Sequence, residues 1–98
     1  MTRVDLHPRA IHDARDARRF YARASIALAI QFMDEFDAAI ARIAAAPQMW
    51  SPHRHGTRMC PLRQFPYHVV YVEQATAVLV VAVAHNRRRP GYWRRRLP

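Results

Sequence analysis

The chain of 98 residues contains no lysine, a single cysteine and two glycines, and its seven acidic side chains are outnumbered by sixteen basic ones. Each shortage excludes something. With Cys60 alone there is no internal disulfide, and a lone thiol fits a reducing compartment. The opening Met1-Thr2-Arg3-Val4-Asp5 has no apolar core of the kind that marks a secretory leader, and the apolar run around Ala75 to Ala84 is too short to span a bilayer. A cytoplasmic protein without membrane contact is expected. So few glycines beside a hydrophobic fraction of 51% argue for a packed globule rather than a disordered chain. The length suits one domain over residues 1–98.

Because lysine is missing, the net charge of +9 is carried entirely by arginine. Arginine stays protonated and presents a planar fork of donors that suits carboxylate and phosphate. A small basic domain of this kind attracts nucleic acid, an acidic protein or an anionic surface, and charge alone does not choose among them.

The elements of the chain can be placed from its periodicities. Thr2 to Leu6 alternates as a short strand, and Pro8 is positioned to open a helix in which Ala10, Ala14, Ala17 and Tyr21 share one face, with Phe20 and Tyr21 adding larger buried area near its end. Ser25 reads as the N-cap of a second helix. Its expected inner stripe is Ile26, Ala29, Ile30, Met33, Phe36, Ile40 and Ile43, and Pro47 closes it. Gln48 to Gly56 reads as a surface loop. Strands are expected over Arg58 to Gln64, His68 to Glu73 and Ala77 to Ala84, with a turn at Phe65-Pro66 and a hairpin at Glu73-Gln74-Ala75-Thr76. The last strand is the most apolar and so is expected to be a central one. It runs directly into His85-Asn86-Arg87-Arg88-Arg89-Pro90-Gly91-Tyr92-Trp93, where charge and aromatic side chains gather. The expected fold is α+β: an N-terminal strand and an antiparallel helical hairpin packed on a small, twisted, mainly antiparallel sheet, with a basic C-terminal tail.

Four segments together resemble the RelE/ParE superfamily of bacterial type II toxins: Val4-Asp5-Leu6-His7-Pro8-Arg9-Ala10, Ile43-Ala44-Ala45-Ala46-Pro47, Arg63-Gln64-Phe65-Pro66-Tyr67-His68-Val69-Val70-Tyr71, and Ala82-Val83-Ala84 through to Trp93. The resemblance implies the α+β fold just described and a cognate antitoxin that wraps the toxin and silences it. Any contact with DNA would then come through the antitoxin complex. RelE-like members cut messenger RNA on the ribosome, whereas ParE-like members inhibit DNA gyrase, and a shared fold does not decide between them. The expected activity is ribosome-dependent cleavage of mRNA without metal or other cofactor, with gyrase inhibition as the alternative.

For the nuclease, the resemblance and the chemistry of the side chains nominate His85, Tyr92, Arg63 and Arg87 as catalytic. Imidazole titrates near neutrality and can act as acid or base, the Tyr92 phenol is a second proton carrier, and the guanidiniums would offset charge on the phosphorane. Arg58, Arg88, Arg89 and Trp93 are the candidate RNA contacts, Trp93 by stacking on an unpaired base. The competing structural reading has His85 capping backbone groups at a strand end and the arginines as a solvated tail. Tyr67 and Tyr71 read as packing residues. His53, His55 and Cys60 match no standard zinc spacing, and Cys60 reads as a small buried side chain. Asp34, Glu35 and Asp37 read as a solvated helix face.

Overall fold

A computed structural model describes all residues, 1–98. The elements run β1 (Arg3–Leu6), α1 (Pro8–Ala24), α2 (Ile26–Ala45), β2 (Ser51–Pro52), β3 (Arg58–Pro61), β4 (Tyr67–Glu73) and β5 (Ala77–His85), with short 3-10 turns at Arg54–Gly56 and Arg94–Arg96. The five strands form one mixed sheet in the order β1-β5-β4-β3-β2. β1 pairs parallel to β5, and the other neighbours are antiparallel. The α+β architecture, with two helices on one face of the sheet and β5 an interior strand flanked by β1 and β4, is as expected. The expected loop at Gln48 to Gly56 contributes an extra two-residue strand, β2, and the expected strand at Arg58 to Gln64 stops at Pro61 because Leu62 N–H returns to Tyr67 O at 2.9 Å to begin the turn.

Local chemistry starts and stops the helices. Pro8 opens α1, whose first turn is capped by His7 Nδ1 accepting from the Arg9 amide at 3.0 Å. A single residue joins the two helices: Ser25 N–H donates to Tyr21 O, ending α1, while its hydroxyl accepts from Leu28 N–H at 3.0 Å and starts α2. The small Ala10, Ala14 and Ala17 are buried on α1, as the spacing predicts. Two other expectations are corrected. Phe20 is 59% exposed, because the Ala10-Ala14-Ala17-Tyr21 stripe turns it to the flank while Tyr21 enters the core. On α2 the buried residues are Ala29, Phe32, Phe36, Ala39, Ile43 and Ala44, so Ile26 and Ile30 lie outside, at 71% and 57% exposed. The buried line runs Ala29, Phe32, Phe36, Ala39 and Ile43, with Met33 and Ile40 partly buried at its margin, so the core face is rotated toward Phe32 and away from Ile26 and Ile30.

The centre of the core is aromatic. Phe32 is fully buried, with ring centroids 5.6 Å from Tyr21, 5.4 Å from Phe65 and 5.3 Å from Tyr67. Tyr71 is also fully buried and donates its hydroxyl to Pro47 O, and burial pushes its pKa up to about 12. Cys60 is a buried side chain in the same core, its thiol pKa raised by burial.

β5 carries an irregularity that sets the location of everything downstream. Val70 pairs with Ala82 but Tyr71 pairs with Val80, leaving Val81 as an extra residue on β5. Val78 and Val80 therefore face the helices, Val81 and Ala82 both belong to the opposite face, and Val83 returns to the helices. Strict alternation would have placed Val83 and His85 on the outer face; the bulge reverses this.

Candidate functional site

Beyond β5 the chain turns at Asn86 to Arg89, with Arg88 N–H bonded to His85 O at 2.9 Å, and folds back across the outer face of the sheet. Gly91 takes φ +82°, where a side chain would be strained and a Cβ would meet His55 Nε2 at 3.4 Å. This close approach lets the His53–Thr57 loop pack on the tail. Trp93 is 1% exposed, set against Val70, Val81 and Ala82, with its ring centroid 5.8 Å from His53 and 6.0 Å from His55. The expectation that Trp93 stacks on a base is corrected here, because protein atoms already occupy its faces.

The tail is fastened by an aspartate that the sequence reading passed over. Asp13 on α1 receives Arg96 through both oxygens, at 2.6 and 3.3 Å, and also the Val83 N–H at 3.0 Å and the Tyr92 hydroxyl at 3.5 Å. Arg96 donates in addition to Val81 O at 3.1 Å. Val81 and Val83 lie on β5 beyond the last residue paired with β1, so the ion pair satisfies backbone groups that a longer β1 would have paired. Both side chains are about five-sixths buried, at 16% and 14% exposed, so the charges are weakly screened. Tyr92 lies between two guanidiniums, Arg88 at 4.0 Å and Arg96 at 5.3 Å from its ring centroid. Its phenol pKa is raised, by burial first and then by the charge of Asp13.

Of the nominated catalytic residues, His85 and Tyr92 share one cleft, and Arg63 and Arg87 lie outside it. His85 opens on the helix side, into a cleft of about 200 Å³ shared with Asp13, Asp16, Tyr67, Arg88 and Tyr92. Its Nδ1 accepts the Arg87 amide at 3.0 Å, which leaves Nε2 as the protonated nitrogen, and its ring stands edge-on to Tyr67 at 5.0 Å. Arg87 itself is exposed in the turn. Arg63 lies in the β3–β4 turn, where its amide and that of Gln64 donate to Glu35 at 2.8 and 3.0 Å. Glu35 is thus a tie between α2 and the sheet, correcting its reading as solvated, while Asp34 and Asp37 are exposed as expected. Arg58, nominated as an RNA contact, is also tied into the fold: it pairs with Glu73 at 2.9 Å and donates to Trp50 O at 2.8 Å.

Arg88 and Arg89 line a second cleft, of about 300 Å³, on the outer face between the tail and the His53–Thr57 loop. His68 faces it from β4, its Nδ1 2.9 Å from Asn86 Oδ1, with His53 opposite, the two ring centroids 5.9 Å apart. Burial, then the neighbouring His68, Arg54 and His55, lower the His53 pKa. Cys60 faces the helices, so His53, His55 and Cys60 do not converge.

This geometry, two helices over a five-stranded mixed sheet with a folded-back basic tail, is accompanied by a sequence match. Residues 4–90 match the ParE toxin of the type II toxin-antitoxin system parDE. The chain belongs to the ParE toxin family. No curated protein matches this ParE-family chain in sequence. Its fold is similar to that of a chain from the chromosomal ParDE TA system of P. aeruginosa, with a TM-score of 0.77 and 10% identity over 87% of this chain and 96% of that one. Identity that low shows the fold alone. No helix of this ParE-family chain is long and apolar enough to cross a membrane.

Proposed function

We propose that this ParE-family chain arrests growth in the cytoplasm by inhibiting DNA gyrase, without cutting RNA, and that a cognate antitoxin holds it silent. The observation that carries the proposal is the setting of His85. Its cleft is lined by Asp13, Asp16 and a single guanidinium, that of Arg88, while Arg63 and Arg87 lie outside it, so His85 lacks the cluster of cations that would hold a phosphodiester and offset its developing charge. The second proton carrier, Tyr92, has its hydroxyl on Asp13 and a raised pKa, so it is a poor base near neutrality. Membership of the ParE family supports gyrase rather than the ribosome as the target, and the net charge of +9 suits an antitoxin segment that carries acids.

The test has two arms. Purified toxin is added to gyrase and relaxed plasmid, and messenger RNA is mapped by primer extension after brief induction in cells, beside His85→Ala. Loss of supercoiling, absence of cuts in translated frames, and growth arrest that survives in His85→Ala are the expected results. In-frame cuts that vanish in His85→Ala, with gyrase unaffected, would establish ribosome-dependent cleavage instead.

A further inference from the structure

The outer cleft has an unusual charge balance. Its floor is apolar, formed by Met59, Pro61 and Ala84, and its polar groups are His53, His68, Asn86 and the guanidiniums of Arg88 and Arg89. No carboxylate lines it, nor the adjoining hollow where His55, Arg89, Arg94 and Arg95 gather. The acids of the chain are engaged or placed elsewhere. Asp13 holds Arg96, Glu73 holds Arg58, Glu35 holds the β3–β4 turn, Asp5 pairs with Arg3, Asp16 pairs with His12, and Asp34 and Asp37 are exposed on α2. A concave site with positive groups along its rim and no internal counter-charge is suited to receive an anion from outside.

We infer that this cleft is the surface with which the toxin grips its target, and that its occupant is an acidic segment of the gyrase protein, a carboxylate flanked by small apolar side chains. The inference rests on the gyrase reading above. Charge complementarity calls for an anion, and the shape of the cleft selects the kind. Duplex DNA presents its phosphates along a convex backbone, which suits an extended basic surface; it does not lower a phosphate onto an apolar floor in a space of about 300 Å³. An extended peptide does, placing a carboxylate between Arg88 and Arg89 and its apolar neighbours on Met59 and Pro61. The neutral form favoured for His53 keeps that wall from requiring a second negative charge.

Charge reversal at the rim tests this. Arg88→Glu/Arg89→Glu is compared with Arg15→Glu/Arg18→Glu, which makes the same change in net charge on the exposed side of α1. Arg89→Glu alone is included, because Arg88 also stacks on Tyr92 and its loss could disturb the tail. Thermal melting confirms that each variant is folded, and affinity for gyrase is measured without DNA alongside the supercoiling assay. The rim pair is expected to weaken both binding and inhibition by at least about tenfold, with the α1 pair changing them less than about twofold. Equal losses in the two pairs, unchanged inhibition in the rim pair, or binding that requires DNA would each overturn the inference while leaving gyrase as the target. A wild-type protein that does not inhibit gyrase would remove the gyrase reading and the inference together, and is recognised by that wild-type failure.

Discussion

The two faces of the sheet are covered by different means. On one, two regular helices close over a continuous core that includes Phe32, Ile43, Tyr71 and Val83 and draws on nearly every element. On the other, a short irregular tail covers a patch of Val70, Val81, Ala82 and Trp93, with Val72, Leu79, Tyr92 and Leu97 at its margins. The first cover is secured by area and close packing, which many side chains share. The second depends on one large ring and one ion pair, Asp13 with Arg96, so it has few independent contacts with which to resist opening. The basic cleft lies on the second face. The surface nominated for binding thus lies on the face with the smaller cover.

The contrast is tested most severely in the helix-side core. Phe32→Ala removes a fully buried ring at the centre of an aromatic cluster and should destabilise the whole domain by about 3–5 kcal/mol, seen as a lower midpoint in urea unfolding. Asp13→Asn leaves Arg96 partly buried without its counter-charge and should cost about 2 kcal/mol. If the tail is a separable cover, Asp13→Asn should also speed hydrogen exchange at residues 91–97 much more than at β4, and equal acceleration at both would erase the distinction between the faces.

Alkaline titration probes both faces at once, since all four tyrosines have raised pKa values with burial as the leading cause. All four phenols are held above their ordinary value of 10.0 in the folded state. Protonated phenol is favoured in the folded state, so this contribution to stability is fully present below pH 10 and is lost as pH rises through the folded pKa, about 12 for Tyr71. Phenolate absorbance and circular dichroism should therefore change together, and phenolate formation well below pH 10 would contradict the burial. In Asp13→Asn, Tyr92 should ionise at a lower pH than it does in the wild-type protein, because the charge that helps to raise its pKa is removed. The smallest effect is expected outside both cores: Ile30→Ser, at a position 57% exposed, should change stability by less than about 0.5 kcal/mol.

Much of the scaffold is written locally in the chain. Pro8, Ser25 and the alanine stripe of α1 specify the helical hairpin through backbone capping and spacing, which act over a few residues. The β-branched run before His85 specifies a central strand for the same kind of reason. The rotation of α2 is less legible, because Ile26 and Ile30 are as apolar as the residues that were buried, and only packing against α1 and the sheet selects the face.

The candidate site is where tertiary structure decided most. A contiguous run from His85 to Trp93 reads as one cluster, yet the extra residue at Val81 sends His85 to the helix side, while the folded-back tail buries Trp93 on the other. Period-two alternation cannot reveal a one-residue bulge, since the bulge is defined by the partner strand. Asp13 gave no signal either: it is 70 residues from Val83 and 83 from Arg96, and its role exists only because α1 crosses the end of β5. The sequence by itself determined the helical hairpin, the central strand and an arginine-only excess of positive charge, because propensity, capping and composition are local or additive. Which arginines are locked into the fold and which face an open cleft was decided by long-range contacts, because partners distant in the chain select them.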